Sequence, residues 1–470
     1  MMQLAITRRG LLAGGIAIAA AAAGSEAAPS AVRRPNILFI MADDLGYADS
    51  SCYGQPDFKT PNIDALASQG MRFTQAYANS AVCSATRTAL ITGRYQYRLP
   101  VGLEEPISGR DVGIPPTHPT LPSLLRDAGY STALIGKWHL GPLPKFGPLQ
   151  SGYEHFWGYR NGAVDYYTHS LLGNADLWDG NTPVSEVGYM TDLLGDRTTK
   201  TLEEFSRSPR PFLLSLHFSA PHWPWEAPGD EAESKRLSSA TSIDQMMDFD
   251  GGSQKTYAEM VVRMDDQVGR VLRTLDRLGL SDNTIVIFTS DNGGERFSDV
   301  WPFTGRKSEL LEGGIRIPAI ARWPGRVRAG SASDAQIMSM DWLPTLLAAA
   351  GIRPAPSYPT DGLDIIAALG GAQLPQRTLF WRYRAHAQQA CRRGDWKYLK
   401  IDANKFLFNV SQDPLERSNL KNREPARFAA LERAWQNWNS SMLPLDPKSN
   451  TFGFDASELA DHFGVPPADD

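Results

Sequence analysis

Four short apolar runs, each closed by a polar cluster, constrain this chain more than any other feature. NILFIMADD is apolar from Ile37 to Met41 and ends in Asp43 and Asp44, while STALIGKWHLG runs to about Ile135 before Lys137 and His139. PFLLSLHFSAPHWPW runs from Phe212 to Phe218 before His222, and NTIVIFTSDNGG from Thr284 to Thr289 before Asp291 and Asn292. The runs are continuous, so each predicts a strand covered on both faces, as in a mainly parallel sheet. The covering helices are also legible. TYAEMVVRMDDQVGRVLRTLDRLG places Tyr257, Met260, Met264, Val268, Val271, Leu275 and Leu278 near one face and stops at Gly279, and TLPSLLRDAGY gives a shorter helix. Ligands of such sheets bind beyond the carboxyl ends of the strands. All four polar clusters fall at that end.

The last hundred or so residues change character. RRGDWKYLKIDANKFLFNVSQDP predicts two short antiparallel strands joined by a polar turn, and EPARFAALERAWQNWNSSM a helix with Phe428, Leu431, Trp435 and Trp438 on one stripe. We place a boundary near residue 370, after RPAPSYPTDGLDIIAALGG. The expected architecture is an α/β region over residues 34–370, a large mainly parallel sheet flanked by helices. A smaller C-terminal α+β region with an antiparallel sheet follows over residues 371–470, and the tail after Pro444 reads as extended. At the other end, Arg8 and Arg9 precede an apolar stretch from Leu11 to Ala23 and small residues near Ala27. This is the pattern of an export signal over residues 1–27, with an uncleaved anchor as the alternative.

The 47 basic and 52 acidic residues leave a net charge of -5, so there is no global basic field for nucleic acid. Anion binding must come from a local pocket. The three cysteines, Cys52, Cys83 and Cys391, form neither a disulfide framework nor a zinc spacing. Taken alone, Cys83 could be a small buried side chain or half of a bridge to Cys52.

Asp43, Asp44, Asp291 and Asn292 offer oxygen ligands from two strand ends, which favours calcium or magnesium over zinc. A single acidic pair could merely cap a helix or turn a loop. Two pairs at one sheet edge would repel each other without a cation. Arg87, Lys137, His139, His222 and Lys307 add positive or titratable groups, although any one of them alone would more often be structural or solvated. Together they describe a pocket for a tetrahedral oxyanion, phosphate or sulfate, beside a metal. If SATRTALITG begins a helix, Cys83 lies at its positive end with Arg87 one turn on, a position suited to a nucleophile. Thiolate attack beside a hard cation pairs soft with hard, so Cys83 fits better as a precursor.

In order and completeness, several segments resemble a type I, formylglycine-dependent sulfatase of the alkaline phosphatase superfamily, in the arylsulfatase A and N-acetylgalactosamine-6-sulfatase group. They are NILFIMADDLGYAD, TPNIDALASQGMRFTQAYANSAVCSATRTALITGRY, GYSTALIGKWHLG, SAPHWPW, FTSDNGGE, GRKSELLEGGIRIPAI and GDWKYLK with FLFNVSQDPLERSNL. The resemblance implies an alkaline phosphatase-like fold and oxidation of Cys83 to formylglycine (3-oxoalanine), steadied by Arg87. It implies that Asp43, Asp44, Asp291 and Asn292 hold calcium, or magnesium, together with the modified residue. Lys137 and Lys307 would grip sulfate oxygens while His139 and His222 handle protons. One hydroxyl of the hydrated aldehyde would attack sulfur, with Asp291 as a base and His222, with Lys307, protonating the leaving oxygen. His139 would then deprotonate the second hydroxyl so that sulfate leaves and the aldehyde returns.

The motif here is C-S-A-T-R, with Ala85 and Thr86 where many relatives have proline and serine. That departure favours a radical-type maturation enzyme, which accepts alanine. TRRGLLA resembles a twin-arginine signal, implying the Tat export machinery, oxidation and folding in the cytoplasm, and a periplasmic or secreted product. Trp138, Asp165, Tyr166, His169, Trp223, Trp225, Arg296 and Trp301 lie near the pocket segments and are candidates for a sugar or aryl platform, with core packing as the alternative. NGAVDYYTH resembles a substrate-loop segment of the same group. A sulfated glycan fragment is the first choice of substrate, with simple aryl sulfates also accepted. The competing readings are a phosphodiesterase or phosphonate monoester hydrolase of the same superfamily, and a non-catalytic sulfoglycan-binding protein. Binding alone needs no proton relay, which argues against the last.

Overall fold

The four apolar runs lie side by side. In the computed structural model, which describes residues 34–449 apart from 104, 107–109, 248–250, 355 and 446–448, they form the strands Asn36–Ala42, Ser131–Lys137, Phe212–His217 and Thr284–Ser290. Across the sheet the order is Thr284–Ser290, Asn36–Ala42, Phe212–His217, Ser131–Lys137, and every neighbouring pair is parallel. His155–Tyr159 extends the parallel block on the far side of Ser131–Lys137. The register sets Ala42 opposite Ser290 and Met41 opposite His217, so these strands end level and deliver residues 43–44 and 291–292 to one rim.

Every residue of the four strands is buried, and alternate side chains feed two cores. Leu38, Ile40, Leu214, Leu216, Val286 and Phe288 point to one, and Ile37, Phe39, Met41, Leu213, Ile285 and Ile287 to the other. Continuous apolar sequence is thus what a sheet covered on both sides requires. The helix Gln254–Arg277 covers the first core with Tyr257, Met260, Met264, Val268, Val271 and Leu275. Ser253 caps it, its hydroxyl accepting the Thr256 N–H at 3.0 Å. Leu278 falls just beyond its end and is only partly buried. On the other flank the sheet turns antiparallel, adding Arg316–Arg322 and then Met71–Tyr77. Among the described residues the sheet has eleven strands, ending in Thr182–Pro183 on one side and Ser331–Ser333 on the other.

The C-terminal sheet is antiparallel, in the order Thr378–Tyr383, Gln388–Arg393, Trp396–Ile401, Asn404–Asn409. The last two are the strands expected from the sequence; the first two complete the sheet. Helix Pro425–Asn439 lays Leu431, Trp435 and Trp438 on it, with Phe428 half-buried beside them. This second sheet shares a core with the first, since Trp381, Leu399 and Leu407 pack in one cluster with Tyr77, Ala81, Leu310 and Ile315. The export signal and most of the tail after Pro444 lie outside the described residues. Among the described residues no helix is long and apolar enough to cross a membrane.

Candidate active site

The carboxyl rim gathers the acids with a cation for each. Asp44 takes a left-handed conformation, φ 63°, and its N–H donates to Asp291 Oδ1 at 3.2 Å. Lys137, the last residue of its strand, donates from Nζ to Asp43 Oδ2 at 2.6 Å. Lys307 Nζ donates to Asp44 Oδ2 at 2.6 Å, and Arg87 Nε and Nη2 reach Asp291 Oδ2 at 2.9 and 2.8 Å. These groups are all buried. Carboxylate repulsion at this rim therefore does not by itself require a cation, because three basic side chains of the chain itself already offset three acids.

What still fits a cation is the set of oxygens left over. Asp43 Oδ1 and Asn292 Oδ1 are buried without a hydrogen-bond donor, although a buried acceptor normally finds one. Asn292 Nδ2 is used elsewhere, donating to Asp44 Oδ1 at 2.7 Å and to Gly293 O at 2.8 Å. One ligand atom each from Asp43, Asp44, Cys83 and His222 lie within 4.8 Å of one another. That set mixes two carboxylate oxygens with a sulfur and an imidazole nitrogen, and it is the unpartnered oxygens of Asp43 and Asn292 that suit a hard cation such as calcium or magnesium. Burial pushes the Asp43 carboxyl well above its ordinary range, against the pull of Lys137. For Asp44, Lys307 and Lys137 overcome burial and hold the carboxyl below it.

Cys83 opens the helix Cys83–Thr92, is 4 % exposed, and has Sγ 3.8 Å from Asp44 Oδ1. Arg87 follows one turn on, as the spacing predicted. All three cysteines are free thiols, so no bridge joins Cys83 to Cys52. Burial pushes the Cys83 thiol well above its ordinary range despite Lys137, so the side chain is a neutral thiol and not a thiolate nucleophile.

The two histidines differ in what holds them. His222 Nδ1 lies 2.7 Å from Trp223 O, and Nε2 faces Lys307 Nζ at 3.2 Å. With Nδ1 donating to that carbonyl, Nε2 carries the lone pair. His139, at φ 54°, has both ring nitrogens buried without a partner. A Cβ on Gly162 would lie 2.7 Å from His139 Cε1, so only glycine leaves the ring its space. Burial, followed by the nearby lysines, holds both imidazoles well below their ordinary pKa and therefore neutral.

Two further groups belong to the cluster, and the sequence reading gave them no role. Glu295 Oε2 lies 3.3 Å from Lys307 Nζ, and burial pushes its pKa up to about 7. His217 Nδ1 sits 3.3 Å from Arg87 Nη1, and burial pushes that imidazole down to about 3. Their only signals were position: Glu295 closes SDNGGE, and His217 is the last residue of a strand.

Most of the candidates for a sugar or aryl platform are held by the fold itself. Trp138 lies in the core, its indole N–H donating to Phe146 O at 2.9 Å. Asp165 Oδ1 accepts the N–H groups of Tyr167 and Thr168 at 2.9 and 2.7 Å and so caps its own turn, and His169 Nε2 lies 3.0 Å from Gly188 O. Trp225 packs against Phe297 and Tyr257, and Arg296 sits over Phe297 with Nη1 donating to Gly251 O at 3.2 Å. Tyr166 and Trp223 instead support His222: the phenol donates to His222 O at 2.9 Å, and the indole ring centre is 4.6 Å from the imidazole. Trp301 alone of these is open to solvent, at 66 % exposure.

A rim of this charge and chemistry suits phosphate or sulfate, and comparison with known proteins decides between them. Residues 35–352 match the Sulfatase family model, and the chain belongs to that family, within the alkaline phosphatase-like superfamily. It is thus a sulfuric ester hydrolase. It is similar to human N-acetylgalactosamine-6-sulfatase, with 30% identity over 94% of this chain and 80% of the relative. Human arylsulfatase A is 30% identical, with 83% of each chain covered. Among solved structures, Ps i-CgsB in complex with k-i-k-neocarrahexaose superimposes with a TM-score of 0.79 at 28% identity, covering 91% of this chain and 96% of that one.

Proposed function

We propose that this enzyme hydrolyses the sulfate esters of a sulfated carbohydrate, and simple aryl sulfates, with Cys83 converted to formylglycine. The observation that carries the reading is the setting of Cys83. An inert buried thiol stands at a helix start within 3.8 Å of Asp44, in a cluster with Arg87, Lys137, Lys307, His139 and His222. A thiol has no use for such surroundings, whereas the aldehyde hydrate made from it supplies a hydroxyl nucleophile. Asp43, Asp44, Asp291 and Asn292, with the modified Cys83, would hold calcium, which lowers the pKa of a hydroxyl it binds and offsets charge on sulfate oxygens.

The remaining roles fall to this chain's own side chains. Lys137 and Lys307 bind and orient the sulfate group while Arg87 steadies the modified Cys83, and their placement costs no reorganisation during the reaction. A sulfate ester brings negative charge beside His222, which raises its pKa and equips Nε2 to protonate the leaving oxygen with Lys307 3.2 Å away. His139, with both nitrogens unpartnered, is free to take up a proton when the enzyme is reset. The carbohydrate reading is supported by the relatives, which include a structure holding k-i-k-neocarrahexaose. The C-S-A-T-R motif supports a radical-type maturation enzyme, and the paired Arg8 and Arg9 support Tat export to the periplasm or beyond.

The test is the mass of the peptide from Phe73 to Arg87 in protein made with a radical maturation enzyme, alongside turnover of an aryl sulfate and an aryl phosphodiester. A peptide lighter by the conversion of thiol to aldehyde and reactive towards a hydrazine, with sulfate ester turned over preferentially, is the expected result. Unmodified cysteine in active protein would remove the proposed nucleophile, and preferential turnover of the phosphodiester would favour the phosphodiesterase reading.

A further inference from the structure

Lys307 does its work from a loop. The segment between the strand Thr284–Ser290 and the short helix Glu312–Ile315 is held by scattered backbone bonds, from Lys307 N–H to Gly294 O at 2.9 Å and from Ser308 N–H to Ala81 O at 2.9 Å. Ser308 sits at φ 70°, a region in which a non-glycine residue persists only where its surroundings dictate it. Ahead of it Arg306 ties the loop to itself, its N–H donating to Glu309 Oε2 at 2.8 Å and its Nη1 to the carbonyls of Glu295, Arg296 and Ser298, and a further constraint, on Ser308 and Leu310, arrives from the other sheet. Gln388, first residue of the strand Gln388–Arg393, is 2 % exposed and spans the loop with both ends of its amide. Its Nε2 donates to Ser308 O at 2.8 Å, and its Oε1 accepts the Leu310 N–H at 2.8 Å. A third bond, from Nε2 to Ala385 O at 3.1 Å, fixes the amide to its own hairpin.

We propose that Gln388 is a positioning residue for the hydrolysis: it holds the Ser308 turn so that Lys307 Nζ reaches Asp44, His222 and Glu295 together. The proposal rests on the reading of the chain as a sulfatase that uses Lys307 and His222. The chemistry asks for an amide in particular, because the turn presents one acceptor and one donor. A carboxylate can serve Leu310 but has no proton for Ser308, and a thioether serves neither. Buried backbone groups left unpaired there would let the loop relax, and a shift of about 1 Å in a group that orients the reacting atoms can cost about a hundredfold in rate.

The test uses matured full-length enzyme with Gln388→Met and Gln388→Glu, assayed on aryl sulfates of graded leaving-group acidity. We expect kcat to fall by about ten- to a hundredfold on poor leaving groups and only a few-fold on activated ones, because the Lys307 and His222 pair assists departure. In a Lys307→Ala background the same substitutions should cost almost nothing further. Gln388→Glu adds a signature independent of whether the Met variant folds: its rate relative to wild type should recover as pH falls and the new carboxyl gains the proton that Ser308 O needs. Equal losses across the substrate series, a full additional loss in the Lys307→Ala background, or a pH-independent rate ratio would each overturn the positioning role. Wild-type enzyme that turns over no sulfate ester would instead overturn the functional reading beneath it.

Discussion

At Cys83, a buried sulfur beside Asp44 makes a sharp prediction. Cys83→Ala should lower turnover of an aryl sulfate by about a thousandfold or more while leaving the thermal midpoint within a few degrees, since the substitution removes a single sulfur atom. His222→Ala should slow poor leaving groups more than activated ones, read as a steeper dependence of kcat/KM on leaving-group pKa. A third residue bears on stability. Glu226 accepts the Tyr166 N–H at 2.8 Å, and burial, then the neighbouring Asp165 charge, pushes its pKa from 4.5 up to about 9. The folded protein holds a proton that the unfolded chain releases across that window, so this contribution to stability is full below about pH 4.5 and falls as pH rises towards 9. Glu226→Gln should therefore melt higher than wild type at pH 8 and alike near pH 4.5, by calorimetry across pH. The acids and bases of the rim were legible because most of them stand within a few residues of a strand end. Glu295 and Gln388 were not, since one lies beyond two glycines and the other arrives from a different sheet.

Among the elements, the four parallel strands were readable because burial on both faces demands an unbroken apolar run. The strand Gln388–Arg393 escaped because QQACRR is polar at four of its six positions, and its polar chains are consumed in specific contacts. Arg392 Nη1, for instance, reaches Glu312 Oε2 at 3.3 Å. Among the aromatic candidates, Trp138 and Tyr166 sit near site segments in sequence, and their polar atoms are bonded to backbone carbonyls. Strand packing supplies its own test at Gly136. A Cβ there would lie 1.8 Å from His217 O on the adjacent strand, and the residue sits at φ 110°. Gly136→Ala should cost about 3 kcal/mol of unfolding free energy or more, measured as a lower urea midpoint, because neither the backbone contact nor the conformation can yield cheaply.

For the whole molecule, the two sheets are joined through charge as well as apolar surface. Glu312 accepts the Tyr77 hydroxyl at 2.6 Å and Lys397 Nζ at 3.1 Å, both deep in the shared core. A cation bound only by the folded rim adds RT ln(1 + [L]/Kd), about 2.7 kcal/mol at a hundredfold excess over Kd. Calcium titration of chelator-treated enzyme should therefore raise the thermal midpoint, and Asp43→Asn with Asn292→Ala should flatten that rise. The sheet also has a consequence at its margins. It finishes at Thr182–Pro183, where the proline has no N–H to offer, and at the three-residue Ser331–Ser333. So wide a sheet would otherwise present long rows of unpaired amides to its neighbours. Closed off in this way, the large sheet offers a second native molecule almost no ladder at either of its described margins.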